Sequence, residues 1–148
     1  MKRVLIALAA TWIGAAPAAS SENGATLSPH ANYLLYCSGC HRQDGAGAIE
    51  GGIPAFQDSV GYIAGIETGR TYIMHVPGVI STNMSDADVA GVLNYILDRW
   101  GEEGGADFSA EEVTRRRALP VADVVVYRRQ VVKELKEAGI EIADYPWP

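Results

Sequence analysis

Cys37-Ser38-Gly39-Cys40-His41 decides how this 148-residue chain is read, because it holds both of the chain's cysteines and one of its three histidines. Ser28-Pro29 stands upstream as a helix start, with a hydroxyl for the N-cap and a proline at the first helical position. A helix from there runs through Tyr33-Leu34-Leu35-Tyr36 and reaches the cysteines. On one helical turn two thiols can reach the vinyl groups of a porphyrin, and the next side chain is carried beneath the iron as a nitrogen ligand. CxxCH therefore reads as covalent attachment of c-type haem. The expected cofactor is one haem c, with Cys37 and Cys40 as its thioether anchors and His41 as the proximal axial ligand.

Other chemistries of the same residues fit less well. A thioredoxin-like redox pair wants its CxxC at the end of a strand in a βαβ context, and here a helix start precedes it. A closed zinc site needs four ligands, and two cysteines with His30, His41 and His75 supply them at poor spacing. A disulfide across two intervening residues would be strained and would leave His41 unexplained.

The N-terminus reads as an address. Met1-Lys2-Arg3 is positive, Val4 to Ile13 is almost wholly apolar, and Ala15-Ala16-Pro17-Ala18-Ala19-Ser20 suits a signal peptidase. The apolar run falls well short of the ~20 residues that a membrane-spanning helix needs. An exported, periplasmic protein beginning near Ser20 is expected, with no membrane span once residues 1–19 are removed. Formal charge is −6, and loss of Lys2 and Arg3 leaves 10 basic against 18 acidic residues. Such a surface repels a phosphate backbone, so no nucleic-acid partner is expected.

Beyond the motif, Gly45 to Pro54 carries four glycines and a proline, loop chemistry that lets backbone approach a neighbour closely. Short helices are expected at 60–65 and 69–75, ended by Pro77-Gly78. Ser85-Asp86-Ala87-Asp88 caps the clearest helix, in which Val89, Val92 or Leu93, Ile96 and Trp100 make one apolar stripe. Gly101 to Gly105 breaks it. Ser109 and Glu112 then have capping-box spacing and open a short helix that ends before Pro120. A longer helix is expected over about Ala122 to Ala138, with Val124, Tyr127, Val131, Leu135 and Ala138 on one face, stopped by Gly139. No segment alternates with period two, so the chain is expected to be all-α.

With these residues in place, 28–100 resembles the class I cytochromes c. Tyr33, four residues before the first cysteine, matches the aromatic of that family's first helix, and Tyr95 matches the aromatic of its last core helix. The resemblance implies that these two helices cross and pack. It also implies a cytochrome c-like helical core around one covalently bound haem at 20–100, followed by a two-helix C-terminal extension at 101–148. Pro54, in Gly52-Ile53-Pro54, takes the place of the proline whose carbonyl commonly accepts a hydrogen bond from the proximal histidine. The chain departs from the family where members present a distal methionine, about six residues before the serine cap of the last core helix: Val79 stands there. Met84 is taken as the distal axial candidate, although its place just before Ser85 also suits a hydrophobic staple onto Val89. Met74 or His75 is the alternative. A stretch from Gly69-Arg70 to Val76-Pro77-Gly78 and a Glu112 to Arg117 tail also resemble a group of single-haem bacterial cytochromes.

Between Ser20 and Trp100 there are three basic residues, Arg42, Arg70 and Arg99, against eight acidic ones, and no lysine. A lysine ring for docking is therefore absent, and either a positively charged partner or an apolar patch at the haem edge must serve. The tail concentrates the cations, Arg115-Arg116-Arg117, Arg128, Arg129, Lys133 and Lys136, either as a solvated face or as arginines offered to a partner or to the haem propionates. Two functions follow. One is electron transfer between a redox-protein donor and acceptor by Fe(II)/Fe(III) cycling, with no catalytic residue. The other is a haem with an open or weakly held distal site that binds a small gas or peroxide, with Arg70, His75 or Asn83 as distal polar groups.

Overall fold

Ser28 caps the first helix as its hydroxyl predicts, Oγ accepting from the Ala31 N–H at 3.2 Å, with Pro29 at the first helical position. The computed structural model describes residues 27–101 and 106–143, so the expected signal segment at 1–19 lies outside it. Helices α1 (Pro29–Tyr36) and α2 (Ser38–His41) are followed by a single 3-10 turn at Ile49–Gly51. Next come α3 (Val60–Ala64), α4 (Glu67–His75), α5 (Pro77–Ile80) and α6 (Asp86–Trp100). The extension supplies α7 (Ala110–Arg117) and α8 (Val124–Glu137). The fold is all-α; among the described residues extended pairing is limited to one isolated bridge between Ala48 and Ile53. α4 ends at His75, ahead of Pro77-Gly78 as expected, and Pro77 also opens α5, where its missing N–H is no loss at the first position.

The family-implied crossing of first and last core helices is present. Tyr33, 1% exposed, packs between Tyr95 and Trp100 of α6 at centroid distances of 5.5 and 5.1 Å. Its hydroxyl donates to the Arg42 carbonyl at 2.5 Å, tying the helix crossing to the residue after His41. Ser85 caps α6, accepting from the Asp88 N–H, and Val89, Val92, Leu93 and Ile96 turn inward as the stripe requires.

The extension closes onto this core. Helix α7 packs on α6 and α4, and α8 packs on α4 and α3. Val113, Val131 and Leu135 are fully buried in the same apolar cluster as Tyr33 and Val89, each contributing roughly 1.5–3 kcal/mol by leaving water. Asn94 of α6 grips the Phe108 backbone from both sides, donating to its carbonyl at 3.0 Å and accepting from its N–H at 2.7 Å.

Charge completes the joint, and here the structure departs from the capping-box reading. The Ser109 hydroxyl does accept from the Glu112 N–H. The Glu112 carboxylate, however, turns inward, where Arg70 of α4 donates to it through two nitrogens at 2.6 Å each and Arg116 donates at 2.7 Å. Arg70 also donates to the carbonyls of Ala64, Ala106 and Asp107 and lies over the Phe108 ring at 3.8 Å. Arg116 reaches Thr71 and both the carbonyl and carboxylate of Glu67, while Arg117 pairs with Asp86 at 2.7 Å. Arg116 and Arg117 thus serve the joint between extension and core.

The two arginines, led by Arg70, hold the Glu112 carboxyl at about 2 rather than its ordinary 4.5. A carboxyl depressed on folding stabilises above its unfolded value and loses that contribution as pH falls toward the folded one. Glu112→Gln leaves the buried Arg70 guanidinium without its counter-charge and Arg116 with Glu67 alone, and is expected to cost about 3 kcal/mol at neutral pH. In acid denaturation series the deficit should shrink between pH 4.5 and about 2, where the wild-type carboxyl also becomes neutral.

Candidate haem-binding site

Helix α1 ends where the chemistry begins. Cys37 is at once its C-cap and the N-cap of α2, and the Cys37 carbonyl accepts from the N–H groups of Cys40 and His41 at 3.2 and 2.9 Å. This single turn places Cys37, Cys40 and His41 together on the wall of a cavity of about 450 Å³, within the usual range for a cofactor pocket. Apolar side chains make up most of the wall, among them Val60 and Ile63 of α3, Ile73 of α4, and Leu93 and Ile96 of α6. Cys37 is half-buried, Cys40 exposed, and neither is in a disulfide.

Burial, reinforced by neighbouring Cys40, pushes the Cys37 thiol up to about 11. A redox-active CxxC needs the opposite shift, because the thiolate is the nucleophile. Burial also pushes His41 below its ordinary value, against an opposing pull from the Pro54 carbonyl, so its ring is held in the neutral, metal-ligating form. Nδ1 of His41 is buried and lacks a partner in hydrogen-bonding geometry, so the Pro54 carbonyl acts on the ring as a nearby dipole rather than as an aligned acceptor. Phe56 stacks on the His41 ring at 4.1 Å, and Trp100 lies 5.5 Å beyond Phe56. An imidazole and two thiols on the same turn, with an apolar cavity beside them, fit a porphyrin with iron. The described residues bring no three His, Cys, Asp or Glu side chains together as a metal cluster.

The glycine-rich loop holds Pro54 against His41. Gly47 has φ +67°, its N–H donates to the His41 carbonyl at 3.1 Å, and the Ala48–Ile53 bridge folds the chain back beside it. A Cβ on Gly47 would meet the Ile53 and Pro54 carbonyl oxygens at 2.4 and 2.5 Å.

Of the distal candidates, Met84 lines the cavity, as does Val79, the residue at the family's usual methionine position. Met74 does not: it is fully buried in the core, one face of α4 away. His75 is also off the cavity, its Nδ1 facing the Thr71 carbonyl and its Nε2 the Leu119 carbonyl, both at 2.9 Å. Arg70 and Asn83, expected as possible distal polar groups, do not line it either, and Arg70 is committed to Glu112. Sequence reasoning missed Phe56, Tyr36 and Tyr72, isolated aromatics without a periodic signal; of the tail cations it named, Arg128 of α8 is the one that reaches the wall, with Val124 and Val125 beside it.

No protein-family model matches the chain. It is similar to the protein named cytochrome c-552 of Thermus thermophilus, 32% identical over 133 residues that cover 75% of this chain and 97% of that protein. A second cytochrome c-552, from one particular strain of the same species, is 32% identical over 133 residues, covering 75% of this chain and 86% of its own length.

Gly47→Ala combines a backbone conformation that disfavours side chains with two carbonyl clashes, and is expected to lower stability by about 2 kcal/mol in denaturant titration. Gly39→Ala, whose added methyl meets open space, should leave the midpoint nearly unchanged.

Proposed function

The chain belongs to the c-type cytochromes, and from that premise we propose that it is a periplasmic single-haem electron carrier passing one electron between a donor and an acceptor protein. One observation carries this reading: Cys37, Cys40 and His41 stand on one helical turn at the wall of a cavity that is otherwise almost wholly apolar. Haem bound there supplies reversible one-electron Fe(II)/Fe(III) chemistry.

The residues have separable tasks. Cys37 and Cys40 anchor the porphyrin covalently, and the high pKa of Cys37 keeps that thiol protonated and unreactive until then. His41 would offer a neutral ring nitrogen to iron, and the nearby Pro54 carbonyl raises its basicity. Met84 is the distal ligand in this proposal, since it alone of the three candidates lines the cavity. The apolar wall excludes water, and histidine with methionine in such a setting raises the potential. Residues 1–19 act as the export signal, 20–100 as the haem-binding unit and 101–148 as an extension that braces it. Among the described residues no helix is long and apolar enough to cross a membrane.

Val79 at the usual methionine position favours the second reading, an iron open to a small gas or peroxide. Spectra of protein exported from a host with cytochrome c maturation machinery separate the two. The carrier reading expects a sharp reduced alpha band, an oxidised near-red band from sulfur on iron, and no ready uptake of carbon monoxide by the reduced protein. Met84→Ala should abolish the near-red band and admit carbon monoxide. High-spin bands in the wild type, with ready carbon monoxide binding, would replace the carrier by the ligand-binding reading.

A further inference from the structure

Helix α8 is docked by Val131 and Leu135, which sink into the core, and this sets the rotation of its first turns. Val124, Val125 and Arg128, at positions i, i+1 and i+4, thereby reach the cavity, whereas Arg129 is exposed and does not. Among the described residues on the wall, Arg128 alone carries a permanent charge. Half-buried at this wall, its guanidinium has donors to offer an anion inside the cavity beside those that the protein itself engages. The haem-binding unit has no cation of its own to offer there. Arg42 is exposed and off the cavity, Arg70 is taken by Glu112, and Arg99 sits beside Trp100 at a separate groove with His30 and Gln43.

We propose that Arg128, supplied by the C-terminal extension, is the cation that pairs with a carboxylate side chain of the porphyrin and so sets the potential of the iron; this rests on the single-haem reading above. The five donors of a guanidinium let it serve a protein acceptor and a carboxylate at once. A positive charge at this place favours ferrous over ferric iron, because the ferric state carries one more positive charge. It also keeps the carboxylate ionised to lower pH. Arg128 is a positioning residue, acting on the iron through the porphyrin. The other titratable side chains on the wall are Tyr36, Tyr72, His41 and the two cysteines, and Arg129 and Lys133 lie on α8 outside it.

The test is the midpoint potential as a function of pH for the wild-type holo-protein, Arg128→Gln, Arg128→Lys and Arg129→Gln. Arg128→Gln is expected to lower the potential and to move the pH-dependent step to higher pH. Arg128→Lys, which keeps the charge but loses the planar fork, should move both in the same direction by less. Arg129→Gln should superimpose on wild type. An Arg128→Gln curve identical to wild type, on a protein with a normal haem spectrum, overturns the proposal. If that variant does not accumulate, Arg128→Met is read in the same way, and an unshifted curve overturns the proposal equally. Absence of haem from the wild type would instead overturn the cytochrome reading itself.

Discussion

Everything at the site depends on where one turn of backbone, Cys37 to His41, is held, and Tyr33 holds it. Its ring is locked in the crossing of α1 and α6, and its hydroxyl binds the Arg42 carbonyl immediately after the motif. From that anchor an aromatic series runs through Trp100 and Phe56 to the His41 ring itself. On the other side the Gly47 loop brings the Pro54 carbonyl beside the same ring. A rigid crossing, a rigid turn and a tight loop converge on one imidazole, the support an electron carrier needs if its ligand geometry is to change little between oxidation states.

The C-terminal extension is the second half of this design. The chain is acidic through its first hundred residues and spends Arg70 on a structural joint. That joint, Arg70 with Glu112 and Arg116, fastens α7 to α4 and thereby sets the stage for α8 to dock against α4 and α3. A buried ion network of this kind adds less net stability than its short distances suggest, but it specifies one arrangement strongly, because any alternative leaves charge unpaired. Docked so, α8 adds wall and cation to a cavity that the rest of the chain leaves apolar.

Local signals are legible in the sequence and long-range ones are not. Ser28, Ser85 and Ser109 foretell three helix starts because a cap is satisfied within a few residues. CxxCH places the thiols and His41 for the same reason: the geometry is that of one turn. The spacing of Glu112 from Ser109 suggests half of a capping box, whereas its true partner, Arg70, lies 42 residues away and no local pattern announces it. Met74 and His75 fall on a helix whose inward face is set by tertiary packing, and a rotation of one residue separates core from cavity. Arg128 and Arg129 are neighbours in the same way, distinguished only once Val131 and Leu135 fix how α8 sits.

The most direct test of the central claim is denaturing mass spectrometry of the protein exported with the maturation machinery, followed by sequencing of its haem-bearing peptide. The account predicts a mass greater than that of the chain from about Ser20 by one haem, with the added mass on a peptide containing both Cys37 and Cys40. A chain without added mass, carrying two free thiols or a disulfide, would contradict it.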